Sequence, residues 1–186
     1  STDELIFQED NPLFWVSLDK TLDGHFAIIT SASSETSEVH TVDLRQKGNA
    51  ATVVAPRRQG VLYSVDHREG FFFVTTNEGK NKNFRLAVAP TDSPGAESWQ
   101  ALDEGIFADG SDTSPGAVML DSVTCFKDFV AVEGRSDGFT KVWVMEMGEG
   151  ARVKSYHQVK FDTDACSCGL SANAEFDTKD IRVGYS

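Results

Sequence analysis

Fourteen short apolar and β-branched runs, separated by turn residues, predict an all-β chain with little helix. A spacing repeated three times among those runs predicts about three and a half four-stranded antiparallel blades of a β-propeller, not closed in this chain. No stretch holds a 3.6-residue apolar period for three turns, which argues against long helices.

In chain order, the strands are expected at Phe14–Thr21, His25–Ser31, Glu38–Leu44 and Ala51–Ala55. Leu62–Asp66, Phe71–Thr76, Phe84–Ala89 and Ser98–Leu102 follow. Then come Val118–Cys125, Phe129–Glu133, Lys141–Met147 and Ser155–Phe161, and last Cys166–Leu170 and Ile181–Tyr185. Asp23-Gly24, Glu69-Gly70 and Asp137-Gly138 mark tight hairpins, because Gly and Asp accept left-handed turn backbone.

The repeat starts at Phe26, Phe71 and Phe129, each opening a strongly apolar strand. In all three places a second apolar strand begins 12 residues later, at Glu38, Asn83 and Lys141. The first strands lie 45 and 58 residues apart, and the longer interval carries the loop Gly105–Gly116. The units are therefore 13–57, 61–103 and 117–161, with an incomplete fourth at 164–186. Phe71–Val74 and Val142–Met145 are apolar on both faces, as a blade's middle strands must be when neighbouring blades cover both sides. Glu97–Leu102 and Arg152–Lys160 are more polar, as outer edges in contact with water are. A β-sandwich would instead alternate cleanly in most strands.

The 186 residues are 40% apolar and 25% charged, a globular balance. Seventeen Lys and Arg against 29 Asp and Glu leave a net charge of −12, the wrong sign for a phosphate-backbone binder. Neither nucleic acid nor membrane is expected as a partner, and no apolar run reaches the ~20 residues of a spanning helix. Ser1–Asp10 shows no signal peptide, and the missing initiator Met suggests a trimmed chain. Three cysteines (Cys125, Cys166, Cys168) exclude a complete disulfide framework, and no Asn-x-Ser/Thr sequon occurs, which suits a reducing, cytoplasmic compartment. Cys166 and Cys168 have no second pair with which to share a metal, so they read as small buried residues; no metal or cofactor is expected.

No nucleophile elbow, phosphate-binding glycine loop or His-Glu-x-x-His is present. His25, His40, His67 and His157 are scattered and read as turn or surface residues rather than general bases. Asp109-Gly110-Ser111-Asp112 lacks the Gly and Glu spacing of a calcium loop. Glu9-Asp10 and Asp162-Thr163-Asp164 read as turn chemistry. Trp15, Trp99 and Trp143 fall at comparable strand positions and read as core.

Four stretches carry a family likeness. They are Phe14–Thr21 with Ser31–Val39; Gly60–His67 leading to Thr75-Thr76-Asn77 and Asn83-Phe84-Arg85-Leu86; Val132–Phe139; and Ile181–Ser186. In this order they resemble oligopeptidase B, of the prolyl oligopeptidase family of serine peptidases, over the second half of its N-terminal propeller. The turn between Asn77 and Asn83 is about one residue longer than the family's. The resemblance implies a segment of a seven-bladed propeller that gates a C-terminal α/β-hydrolase domain of the same polypeptide. It implies a parent enzyme that excludes folded proteins and cuts short peptides after basic residues with a Ser-His-Asp triad. That triad lies beyond this chain, so no catalytic residue carries over and the chain alone should be inactive. The negative charge suits basic peptides. Asn77 and Asn83 are expected to bracket a turn and Phe84 to pack between blades. Glu133 and Arg135 share a strand face and either pair across blades or meet the catalytic domain. The other functional reading is a free-standing β-rich module that binds a protein or peptide. An open half-propeller should also associate with itself through exposed blade faces.

Overall fold

The computed structural model describes residues 3–79, 83–102, 106–107, 118–162 and 167–186. Strands β1 (Trp15–Lys20), β2 (Phe26–Ala32), β3 (Ser37–Asp43) and β4 (Thr52–Ala55) form the first sheet in that order. The second sheet is β5 (Tyr63–Arg68), β6 (Phe71–Thr76), β7 (Arg85–Pro90) and β8 (Gln100–Ala101). The third is β9 (Met119–Cys125), β10 (Phe129–Ser136), β11 (Phe139–Met147) and β12 (Val153–Gln158). β13 (Cys168–Leu170) and β14 (Val183–Tyr185) form a two-stranded sheet. Every pairing is antiparallel between sequence neighbours, the up-and-down topology of propeller blades.

Turn chemistry sets the registers. Arg68 faces Phe71 across Glu69 and Gly70, whose φ values are +46° and +80°. Ser136 faces Phe139 across Asp137 and Gly138, at +52° and +81°. Both are two-residue turns with left-handed central residues, which match the twist of the strands they join. Asp23-Gly24 is different. The pair sits inside a six-residue connection between Lys20 and Ala27, where Thr21 Oγ1 accepts the Phe26 N–H at 3.0 Å. The Ser98–Leu102 strand shrinks to Gln100–Ala101, because a 3-10 turn at Ala96–Ser98 takes up its start.

The sheets stack through their faces. Phe26, Ile28, Val39 and Val54 of the first sheet pack on Val65, Phe72, Val74 and Ala87 of the second. Phe73, Leu86 and Val88, on the opposite face of the second sheet, pack on Leu120, Val130, Trp143 and Met145 of the third. Phe72 and Phe73 are adjacent in sequence and belong to different cores, because successive strand residues point to opposite faces. Full burial of each such side chain is worth roughly 1.5–3 kcal/mol. Phe126, Phe129 and Ala131 begin a third cluster, joined by Leu170 and Ile181 of the last unit.

The three tryptophans do not share one position. Trp143 is buried in β11 and Trp99 is buried just before β8, but Trp15 in β1 is 59% exposed. All six residues of β1 are exposed. β5, the equivalent first strand of the second sheet, is mostly buried and touches both β3 and β9. Among the described residues no sheet covers β1 as the neighbouring sheets cover β5, so Trp15 is not core.

Candidate functional site

Among the described residues, the chemistry-bearing side chains gather in the seams between sheets. In the first seam Tyr63 of β5 reaches into the first sheet. Its hydroxyl donates to Ala55 O at 2.5 Å and accepts the N–H groups of Val39 and Ala55 at 2.8 and 3.2 Å. Burial pushes its phenol up to about 12. Ser37 and Tyr63 also exchange two bonds, at 2.7 and 2.9 Å. Nearby, the Arg57 guanidinium donates to Glu9 at 2.6 Å and Glu38 at 3.1 Å, and Ser31 Oγ donates to Glu9 at 2.5 Å. Arg57 and Ser31 hold the Glu9 carboxyl down at about 2, so Glu9 ties the N-terminal segment to the first sheet rather than only capping a turn.

The second seam holds charges. Asp66 of β5 accepts the Cys125 N–H at 2.6 Å and the His67 N–H at 2.8 Å. Burial pushes its carboxyl up to about 6 against those bonds. Burial also pushes the Cys125 thiol well up, which leaves it a poor nucleophile. Arg68 is buried and crosses to the third sheet. Its guanidinium donates to the backbone oxygens of Lys127 at 2.9 Å, Gly148 at 3.0 Å and Gly150.

At the third seam Glu133 of β10 accepts the Leu170 N–H at 2.7 Å and the Ser122 hydroxyl at 2.7 Å. Thr140 Oγ1 accepts the Cys168 N–H at 2.6 Å, and the Cys168 thiol donates to Thr140 O at 3.2 Å. Cys168 is thus a half-buried hydrogen-bonded residue.

The expected site residues do not converge. Asn77 bonds back to the segment before β5 rather than across its own turn: its side-chain oxygen accepts the Leu62 N–H at 2.8 Å and its amide donates to Gly60 O at 3.1 Å. Asn83 is half-buried, just before β7. Phe84 packs against the core between the second and third sheets. Glu133 spans two sheets, but Arg135 is exposed and donates to Asp121 at 3.0 Å within its own sheet. A bulge explains the difference. Glu133 pairs with Ser122 and Gly134 with Leu120, so Asp121 is the extra residue and meets Arg135. Cys166, the Asp109–Asp112 acidic run, most of the Gly105–Gly116 loop and Thr163-Asp164 lie outside the described residues.

Two of the four histidines, His40 and His67, depart from the turn-or-surface expectation, whereas His25 lies in the loop between β1 and β2. His157 is exposed on β12. His40 is half-buried against the ring of Phe7. His67 is buried, and its Nδ1 donates to Asp23 Oδ2 at 2.5 Å while its Nε2 accepts the Gly70 N–H at 3.2 Å. Burial pushes the Asp23 carboxyl up, but the bonds from His67, the His25 N–H and the Thr21 hydroxyl prevail and hold it at about 2. His25 stands beside the pair, and Asp23, His25 and His67 are the group among the described residues whose ligand atoms approach closely enough to share a metal. No catalytic constellation forms among the described residues. The buried polar groups of the seams join one sheet to the next.

The family model described as the prolyl oligopeptidase N-terminal beta-propeller domain matches residues 1–186. Protease 2 of Moraxella lacunata is 28% identical over 185 residues, which is 99% of this chain and 24% of that protein. Dipeptidyl aminopeptidase BI of Pseudoxanthomonas mexicana is 29% identical over 189 residues, covering all of this chain and 24% of that protein. The solved oligopeptidase B from Trypanosoma brucei, with covalently bound antipain in its closed form, superposes with a TM-score of 0.84 at 29% identity. That match covers 97% of this chain and 25% of the solved one. The chain thus spans about a quarter of the length of the relatives it matches. Stacked four-stranded sheets and a family match along the whole length have one reading: the chain belongs to the prolyl oligopeptidase N-terminal β-propeller family.

Proposed function

We propose that this chain is the gating segment of a serine oligopeptidase: half of a seven-bladed propeller seated over a C-terminal α/β-hydrolase domain of the same polypeptide. The observation that carries this reading is the asymmetry of the first strands. β5 lies between two sheets, whereas β1 exposes Trp15, Val16 and Leu18 to water. A preceding blade would cover them, and relatives four times as long have the chain to supply it. In this reading the propeller limits access to short peptides, and the parent cuts after basic residues, drawn by the field of a chain with net charge −12. The work takes place in the cytoplasm. The residues described above act structurally, keeping the blades in register so that the propeller remains a size filter.

The test uses the full reading frame beside the 186-residue span. The full protein should cleave a short peptide after arginine, ignore the same peptide lacking basic residues and spare a folded protein. The span alone should cleave none of them. Equal cleavage of the folded protein would remove the gating role. A reading frame that stops at Ser186 and yields no peptidase would leave a free-standing interaction module.

A further inference from the structure

Asp23, His25 and His67 come together from two sheets. Asp23 and His25 belong to the β1–β2 connection, and His67 projects from β5. One ligand atom from each lies within 4.8 Å of the others. Asp23 divides its carboxylate. Oδ1 accepts the Thr21 hydroxyl at 2.7 Å and the His25 N–H at 3.0 Å, which fixes the group, while Oδ2 faces the two imidazoles. His67 Nδ1 is 2.5 Å from Oδ2 and His25 Nδ1 is 3.4 Å from it. His25 Nδ1 is itself buried and makes no hydrogen bond, and such orphaned buried atoms call for an explanation. The His25 side chain is still 40% exposed overall, which leaves an entry path from solvent.

We propose that Asp23, His25 and His67 bind a divalent transition cation of the zinc class, clamping the first sheet to the second. Two imidazole nitrogens and one carboxylate oxygen are a donor set that suits zinc, with water as the fourth ligand. Tetrahedral ligand atoms at zinc stand about 3.3 Å apart, so the His25–Asp23 spacing already fits and the His67–Asp23 pair opens by roughly 1 Å. The cation takes the place of the proton on His67 Nδ1. That proton shifts to Nε2, and the long 3.2 Å bond from the Gly70 N–H is lost. The bonds to Asp23 Oδ1 are the outer support that holds a ligating carboxylate in place. This site is independent of the peptidase reading.

The 186-residue protein, stripped of metal, is titrated with Zn²⁺ by calorimetry and with Co²⁺ by visible absorption. One tight site per chain is expected, with Co²⁺ bands of a four- or five-coordinate centre and a rise in Tm on adding Zn²⁺. His25→Ala removes a ligand from a partly exposed loop side chain and should weaken Zn²⁺ binding at least about tenfold. It should also abolish the Tm rise while leaving the circular dichroism unchanged in chelator. His157→Ala should bind as the wild type does. X-ray absorption on the zinc-loaded wild type, which needs no variant, should show two imidazoles. No stoichiometric uptake, unchanged binding by His25→Ala, loss of the site in His157→Ala, or a spectrum without imidazole would each overturn the proposal.

Discussion

The Asp66 carboxylate accepts the backbone N–H of Cys125 at 2.6 Å, joining the first strand of the second sheet to the end of the first strand of the third. It also accepts the His67 N–H. Asp66→Ala would leave both donors without their acceptor, and urea unfolding at pH 7 should show a loss of about 2–4 kcal/mol. Burial raises the Asp66 carboxyl to about 6, above its ordinary 3.8, so the folded protein holds this proton more tightly than the unfolded chain. The part of its contribution that depends on this proton is full below pH 3.8 and is lost as pH rises through 6, so that at pH 7 only the two hydrogen bonds remain. Wild type should therefore gain on the variant as pH falls from 7 to 5. A gap that is constant between those pH values would contradict the buried, proton-holding carboxyl.

Asp23 has the opposite sign. Its carboxyl sits at about 2 when folded, against 3.8 for the ordinary group. The stability it contributes is present above pH 3.8 and disappears as pH falls through 2. Asp23→Asn should cost about 1–3 kcal/mol at pH 6, and the difference from wild type should fade between pH 4 and pH 2. Parallel stability curves for the two proteins across that range would argue against the assignment.

Arg68 is a buried cation satisfied by three backbone oxygens rather than by an acid of the third sheet. Arg68→Ala leaves those carbonyls unpaired and should cost about 3–5 kcal/mol. Arg68→Lys should recover less than half of the loss, because an ammonium cannot reproduce the guanidinium fork. Denaturant midpoints for the three proteins decide this, and full rescue by Lys would show that charge alone matters.

Gly134 and Gly138 separate two reasons for glycine. A Cβ on Gly134 would stand 2.6 Å from Met119 O and 3.2 Å from the Trp143 ring. At Gly138 it would meet nothing, but φ is +81°. Gly134→Ala should cost about 1–3 kcal/mol through overpacking beside the bulge. Gly138→Ala should cost about 1 kcal/mol through backbone strain alone. Thermal unfolding ranks the two, and the reverse order would mean that the strands part more easily than their packing suggests.

Strand β1 is uncovered on both faces, which predicts self-association. Trp15 and Leu18 are 59% and 70% exposed on a strand whose equivalent in the second sheet is covered. Sedimentation of the 186-residue chain should show dimers or larger species, and Trp15→Glu with Leu18→Glu should return it to a monomer. A monomeric wild type would mean that the strand is stable in water without a cover.

All fourteen strands among the described residues were legible in the sequence, in order, because strand formation is local: β-branched runs, turn residues and apolar patterns lie within a few positions of one another. The two-residue turns at Glu69-Gly70 and Asp137-Gly138 and the doubly buried β6 were legible for the same reason. The polar contacts between sheets were not. Asp23 and His67 are 44 residues apart, Asp66 and Cys125 are 59 apart, and Glu133 and Leu170 are 37 apart. No local pattern marks such pairs, since only the stacking of one sheet on the next brings them within bonding distance. Trp15 makes the same point in reverse. Its strand was readable from its own residues, but its burial depended on a neighbouring sheet, and only the tertiary structure decides which strands acquire one.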